Sequence, residues 1–346
     1  MTPTARDHAA DILRKGGIAN PFRLPGLIRE AIARLRLDLD GFVVLTEAAS
    51  GPFVVTPILA ALAGAGRVVG LTRDSCYASA GRVVEQTRAL EVLCDIGDSV
   101  EIITKRTRDH FAEADLVTNL GFVRPIDGEV IQVMKQTCVV LLMCEAWESR
   151  PGDVDLVECQ RKGIRVVATN EGPTGADVFP YVGLLALKLL LDSQIEVYRS
   201  KILIVSSDEF GPVIRERLSQ SGADVELTSS LQASNSLVGT NALVVADYTR
   251  TDMIVGPAGD MTASELAQAS PGIALVPLAG WVDVPSLIGS GVTVYPAVAT
   301  GPRRMARTLA ELGPRPVVEL HAAGLKAGEI AARGGDSALV QWVVQE

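Results

Sequence analysis

The sequence predicts an α/β protein built from two doubly wound, mostly parallel sheets. Three observations predict it. Short β-rich runs alternate with helix-length segments along most of the chain, the signature of right-handed βαβ crossovers. Apolar residues make up 48% of the chain and aromatics only 4%, so the cores are built from Val, Leu, Ile and Ala. That palette suits parallel strands buried on both faces. Finally, 346 residues leave room for two or three domains at about 100–200 residues each.

The elements follow in order. Residues 1–40 read as helical with a break at Gly16-Gly17, and Ala31–Leu37 gives an apolar helical face. Strand candidates are Phe42–Thr46, Arg67–Thr72, Val100–Thr104, Leu116–Asn119, Cys138–Cys144 and Ile164–Thr169, with helices over Thr56–Ala63 and Gly81–Cys94. Each strand is bounded by Gly, Asp, Asn or Pro. The stretch Asp177–Asp192 is apolar on nearly every side, which implies a buried helix, and Thr174 or Asp177 is placed to cap it. A second series follows: Ile202–Val205, Val225–Thr228, Leu243–Ala246, Ala274–Pro277 and Val292–Tyr295 as strands, Pro212–Ser219 as a helix. After Pro302 the pattern is helical over Met305–Leu312 and Val318–Arg333. The reading is therefore two Rossmann-like domains, 1–178 and a smaller 179–300, with a helical segment over 301–346. Any ligand is expected in the cleft between the two domains.

Composition excludes several classes. The net charge of −9 opposes binding to a phosphate backbone, so no nucleic-acid partner is expected. Met1–Arg14 mixes charges and lacks the apolar centre of a signal peptide. The most apolar stretch, Tyr181–Leu191, carries Lys188 and is too short to span a bilayer. Five cysteines without C-x-x-C spacing point to reduced thiols and a cytoplasmic protein. His8, His110 and His321 are too scattered for a metal site, so no metal is expected. His321 reads as a surface or packing residue.

Polar loops at the ends of strands supply the candidate site. Glu47, Ser50 and Gly51 follow the first strand and enter a helix whose backbone N–H groups could cradle a ligand. Arg73 follows the second strand, where a ribose is often read. Asn119, Gly121 and Arg124 follow a later strand, and Arg124 could clamp an anion bidentately or pair with a nearby acid. Glu145, Asn170 and Asp177 complete the set of candidate substrate contacts. Glu171 is the first candidate general acid or base, with Arg124 and Glu47 beside it as catalytic candidates. For Asp177 the plainer role is helix capping, and for Tyr181, one helical turn on, packing.

Several stretches resemble the D-isomer-specific 2-hydroxyacid dehydrogenases. Ala114–Lys135 (ADLVTNLGFVRPIDGEVIQVMK) resembles a strand, loop and helix of that family's substrate domain. Gly152–Asn170 (GDVDLVECQRKGIRVVATN) is similar to the signature leading to its hinge helix, and Thr251–Gly291 to the run into its catalytic strand. The resemblance covers about residues 114–300, roughly half the chain. It implies NAD(P) as cofactor, and a C-terminal helix that returns to the first domain. The cofactor positions it implies are Ser206, Asp208, Gly211 and Thr228.

The departures are specific. Where the family has G-x-G-x-x-G, this chain has Ser206-Ser207-Asp208-Glu209-Phe210-Gly211, keeping only the last glycine. Asp208 places bulk and charge where the backbone meets a pyrophosphate. Like charges about 4 Å apart repel by about 1 kcal/mol in water and by more near a protein surface. Ala279 and Ala297 stand where the resemblance implies the catalytic arginine and histidine. Three readings follow: a divergent NAD(P)-dependent oxidoreductase acting on a small polar acid; a lyase, isomerase or transferase on the same scaffold; or a non-catalytic ligand-binding protein. The apolar helix also raises the expectation of a homodimer.

Overall fold

The computed structural model describes residues 4–233 and 237–344. The first three residues of the charged N-terminal stretch lie outside them. Helix α1 (Ala5–Lys15) starts at a reciprocal cap: the Thr4 hydroxyl accepts from the Asp7 N–H while the Asp7 carboxylate accepts from the Thr4 N–H. It ends at Gly16, and α2 (Leu24–Leu35) follows. Strand–helix alternation then runs β1 (Val43–Glu47), α3 (Val55–Leu62), β2 (Arg67–Leu71), α4 (Ala80–Cys94), β3 (Val100–Ile103), α5 (Arg108–Glu113), β4 (Leu116–Thr118), α6 (Gly128–Ile131), β5 (Val139–Leu142), α7 (Leu156–Lys162) and β6 (Arg165–Thr169). Next come α8 (Pro180–Asp192), β7 (Lys201–Val205), α9 (Phe210–Gln220), β8 (Asp224–Thr228), β9 (Ala242–Ala246), β10 (Met253–Val255) and α10 (Ala263–Ala269). The chain continues through β11 (Ala274–Ala279), β12 (Trp281–Val282), α11 (Val284–Gly289) and β13 (Thr293–Val294), and closes with α12 (Pro314–Ala332) and β14 (Val340–Val344).

These elements form two units, one from residues 1–178 with 313–346 and one from 179–312. Residues 301–312 go with the second unit rather than with the C-terminal helix. The first unit holds a seven-stranded sheet in the order β14-β6-β5-β4-β1-β2-β3. Its strands are parallel except β14, which pairs antiparallel with β6. The second holds a five-stranded parallel sheet, β13-β11-β9-β7-β8, and a small β10-β12 pair. The central strands β1, β4, β5, β6, β7, β9 and β11 are buried almost throughout, mainly as Val, Leu, Ile and Ala, as two-sided coverage by helices requires. The edge strands β3, β8, β13 and β14 are only partly buried.

Three local expectations are corrected. The apolar helix begins at Pro180, not Asp177: Phe179 is its N-cap, no side chain caps it, and the proline sets its first turn. Asp177 has left-handed backbone (φ 54°) and so does not share a helical face with Tyr181. Thr174 instead accepts from Asn170 Nδ2 at 3.2 Å. Within Met305–Leu312 only Leu309–Leu312 is helical, as a 3-10 turn. Helix α8 packs on α9, β11 and that turn within its own unit, with Leu184 and Leu187 half-buried and Leu191 exposed.

Helix α12 returns to the first unit and packs on α2 and α3 and over β5 and β6. Two glycines let it lie flat there. A Cβ on Gly324 would sit 2.6 Å from Met143 Sδ, and one on Gly328 would sit 2.2 Å from Leu141 Cδ2. Gly328→Val should therefore overpack a closed interface and cost about 1–3 kcal/mol. Urea unfolding of the full chain checks this, and an unchanged midpoint would mean that α12 is not seated on β5.

Candidate functional site

In the first unit the chain builds outward from β1 in two directions, to β2 and β3 on one side and through β4, β5 and β6 on the other. The crevice at the carboxyl ends of β1 and β4 is therefore the topological switch point, the usual ligand position in open α/β sheets. Glu47 ends β1 and Asn119 follows β4, so sequence-predicted residues from separate loops converge there.

Glu47 is buried, and its Oε2 accepts from the Phe122 N–H at 3.1 Å. Burial raises its pKa above the ordinary 4.5. N–H donors from Phe122 and Gly121 and the positive Arg124 oppose that rise without cancelling it. A Cβ on Gly121 would stand 3.1 Å from Glu47 Oε2, so the close approach needs glycine or a shift. Arg124 is committed to an ion pair with Asp153. Arg73 is not: it is exposed, it makes no ion pair among the described residues, and its guanidinium lies 5.5 Å from the Phe122 ring centroid. Phe122 thus joins the two groups, its N–H on Glu47 and its ring under Arg73. Asn119 is buried and accepts from the Met143 N–H at 3.0 Å through Oδ1.

The other predicted residues do structural work. The Gly51 N–H donates to Gln86 Oε1 at 2.9 Å, which removes one donor from the expected helix-start cradle. Ser50 precedes that turn without capping it through its side chain. Asn170 ties its own loop, donating to Thr174 and to the Ala338 carbonyl (2.7 Å) and accepting from the Gly172 N–H (3.0 Å). Glu171 lies in a buried acidic cluster. Its N–H donates to Glu145 Oε1 at 2.6 Å, and Glu145 also accepts from Gln341. Burial, followed by Glu148 and Glu145, pushes the pKa of the Glu171 carboxyl well up. Asp177 is exposed on a loop.

In the second unit the switch point lies between β7 and β9. Asp208, on the loop after β7, accepts from Ser206 Oγ (3.0 Å) and the Phe210 N–H (3.0 Å) through Oδ1. Its Oδ2 accepts from the Tyr248 N–H (2.6 Å) and the Thr249 N–H (3.2 Å) on the loop after β9. Asp247, fully buried, answers from the opposite loop: it accepts from the Ser207 N–H (2.9 Å) and hydroxyl (2.7 Å). Gly211 keeps the packing role of the last glycine in the motif, since a Cβ there would be 2.8 Å from both Leu227 Cδ1 and Ser206 Cβ. Its N–H donates to Ser206 Oγ at 3.1 Å. Thr228 hydrogen-bonds to the Ser230 carbonyl at 2.9 Å. Ala279 is fully buried at the end of β11, and Ala297 is exposed.

His321, on α12, is buried rather than on the surface. Its Nδ1 lies 2.6 Å from Thr56 Oγ1 and its ring centroid 6.0 Å from that of Phe53. Burial lowers its pKa from 6.5 to about 4. In that window the unfolded chain takes up a proton that the folded chain refuses. Stability is complete above pH 6.5 and falls as pH drops toward about 4, by about 3 kcal/mol at most. Comparing denaturant unfolding of wild type and His321→Gln from pH 7 to pH 4 checks this. The variant should lose less stability, and identical slopes would refute the assignment.

Among the described residues no group of three or more His, Cys, Asp or Glu side chains is placed to hold a metal. No described helix is long and apolar enough to cross a membrane. The cysteines are free; burial pushes the Cys94 thiol to about 11 and the Cys159 thiol to about 12, which suits packing rather than nucleophilic roles.

The fold recurs in solved structures of low sequence identity. It is shared with a dipicolinate synthase structure from Bacillus subtilis, at 11% identity and a TM-score of 0.53, over 86% of this chain and 99% of that one. The dipicolinate synthase structure from Bacillus halodurans gives 10% and 0.53, over 82% and 96%. The pyruvate reductase of Chlamydomonas reinhardtii gives 12% and 0.50, over 86% and 98%. D-lactate dehydrogenase and formate dehydrogenase structures also match, some of them solved with NAD. No protein-family model and no curated protein sequence matches the chain. At these identities the likeness establishes the fold and no activity. The NAD that the sequence resemblance implies does not fit the second unit as built, because the Phe210, Tyr248 and Thr249 N–H groups at its switch point are already taken by Asp208.

Proposed function

We propose that this chain is an enzyme of acid–base rather than hydride-transfer chemistry, acting on a small carboxylate-bearing metabolite at the switch point of its first unit. One observation carries the reading: a buried carboxyl of raised pKa, Glu47, and a cation without an ion pair among the described residues, Arg73, stand at the carboxyl ends of β1 and β2 and are linked through Phe122. Arg73 binds the substrate carboxylate. Glu47, poised to hold and release a proton nearer neutrality than an ordinary carboxyl, moves a proton on the substrate. Asn119 and the Gly121 backbone line the same crevice. That pairing serves a lyase, isomerase or transferase, and Arg73 takes the anion-binding role expected of Arg124. The shared fold favours NAD(P)-dependent oxidation of the same kind of metabolite, and the loop after β7 together with Ala279 and Ala297 opposes it.

The test is a panel of 2-oxo, 2-hydroxy and unsaturated carboxylic acids, followed by calorimetry for binding and by NMR for turnover without nicotinamide. Arg73→Gln should weaken binding about tenfold. Glu47→Gln should bind with little change and lose at least about 100-fold in turnover. It should also melt no lower than wild type above pH 4.5: the folded carboxyl has a raised pKa, so its contribution to stability is present at low pH and lost as pH rises. Turnover that requires NAD(P)H, or an active Glu47→Gln, would sink the proposal. Binding without turnover would move the chain to the class of ligand-binding proteins.

A further inference from the structure

We infer that the second unit is a self-occupied dinucleotide fold, in which the Asp208 carboxylate takes the place of a bound pyrophosphate and closes the unit to dinucleotides. The inference stands apart from the reading of the first unit and rests on different residues.

Pyrophosphate binding in this kind of fold needs free backbone N–H groups where the strand meets the helix, and a chain small enough to let the anion approach. Here the anion is covalently present. Asp208 collects one N–H from the first turn of α9 (Phe210, 3.0 Å), two from the loop after β9 (Tyr248, 2.6 Å; Thr249, 3.2 Å) and the Ser206 hydroxyl (3.0 Å). Its two oxygens thus accept four donors, as a phosphate oxygen pair would. Asp247 returns the arrangement from the other side, binding the Ser207 N–H and hydroxyl together with the Arg250 N–H (3.0 Å) and the Thr249 hydroxyl (3.2 Å). The two loops that part to admit a ligand at a switch point are therefore tied in both directions. A dinucleotide would have to displace Asp208 from four donors and then lie beside two carboxylates. Thr228, at the end of β8, likewise spends its hydroxyl proton on the Ser230 carbonyl.

The decisive experiment is thermal unfolding of the full chain with and without inorganic pyrophosphate, at constant ionic strength set by chloride, alongside calorimetry with NADH and NADPH. Wild type should show no saturable binding of either dinucleotide at 1–2 mM (roughly the weakest useful affinity) and no pyrophosphate shift. Asp208→Gly leaves three N–H groups without their acceptor and should melt about 3–8 °C lower. Pyrophosphate at about 10 mM should restore about 2–5 °C of that loss in the variant alone. Should Asp208→Gly fail to fold, Asp208→Asn, which keeps an acceptor and loses the charge, should show a smaller loss and a smaller rescue. Saturable binding of NADH or NADPH to wild type would overturn the inference. So would a variant that melts like wild type or that pyrophosphate does not protect.

Discussion

Parallel sheets send every connection back to the same edge, so the polar ends of all their strands gather in one place. Each sheet here also has one point where its connections part in opposite directions, between β1 and β4 in the first unit and between β7 and β9 in the second. A carboxylate stands at both points and is held by backbone N–H groups. Burial raises the proton affinity of both carboxyls, and they differ in the donors around them. Glu47 receives N–H groups from one loop, keeps a raised proton affinity and has a free arginine nearby. Asp208 receives four donors from two loops and is matched by a second aspartate across the crevice. On the reading proposed above, one crevice is open to a ligand and the other is filled by the chain itself.

The rest of the first unit supports that open crevice. Gln341 on β14 binds Glu145, and Glu145 binds the backbone of Glu171 at the end of β6. Glu145 thus fixes a loop, and burial raises the pKa of the Glu171 carboxyl. His321 and Thr56 join α12 to α3 by a buried hydrogen bond, and burial disfavours the charged imidazole there. Polar groups are abundant around these strand ends, and most are committed. Arg73 stands out because nothing among the described residues neutralises it.

Strand and helix order was legible in the sequence because two-sided burial leaves continuous runs such as Val139–Leu142 and Lys201–Val205 between turn residues. Residues in strand-end loops were legible for the same reason: Glu47, Arg73, Asn119 and Gly121 each follow an apolar run. Their commitments were not. Whether Arg124 meets a ligand or Asp153 depends on a loop 29 residues away, which no local pattern encodes. The bulk of Asp208 in the glycine motif was visible, but its donors on the loop after β9 were not. A signal existed in Asp247, the first polar residue after a fully apolar strand. Strand β14 carries only a half-buried pattern, and its antiparallel pairing is decided by the edge of β6. Pro180 marked the true start of α8, where the acidic residue three positions earlier invited a cap.

The return of α12 and β14 to the first unit has a consequence for how the chain is made. Synthesis runs from the N-terminus, and domains fold as units when their residues are available. The second unit, residues 179–312, leaves the ribosome whole while the first still lacks its last helix and edge strand. Until residues 314–344 emerge, the outer edge of β6 is an unpaired strand and the face of β5 that Gly324 and Gly328 will cover lies bare. The part of the chain made first is therefore the last to be finished, and its exposed edge must be shielded for as long as translation of the second unit takes.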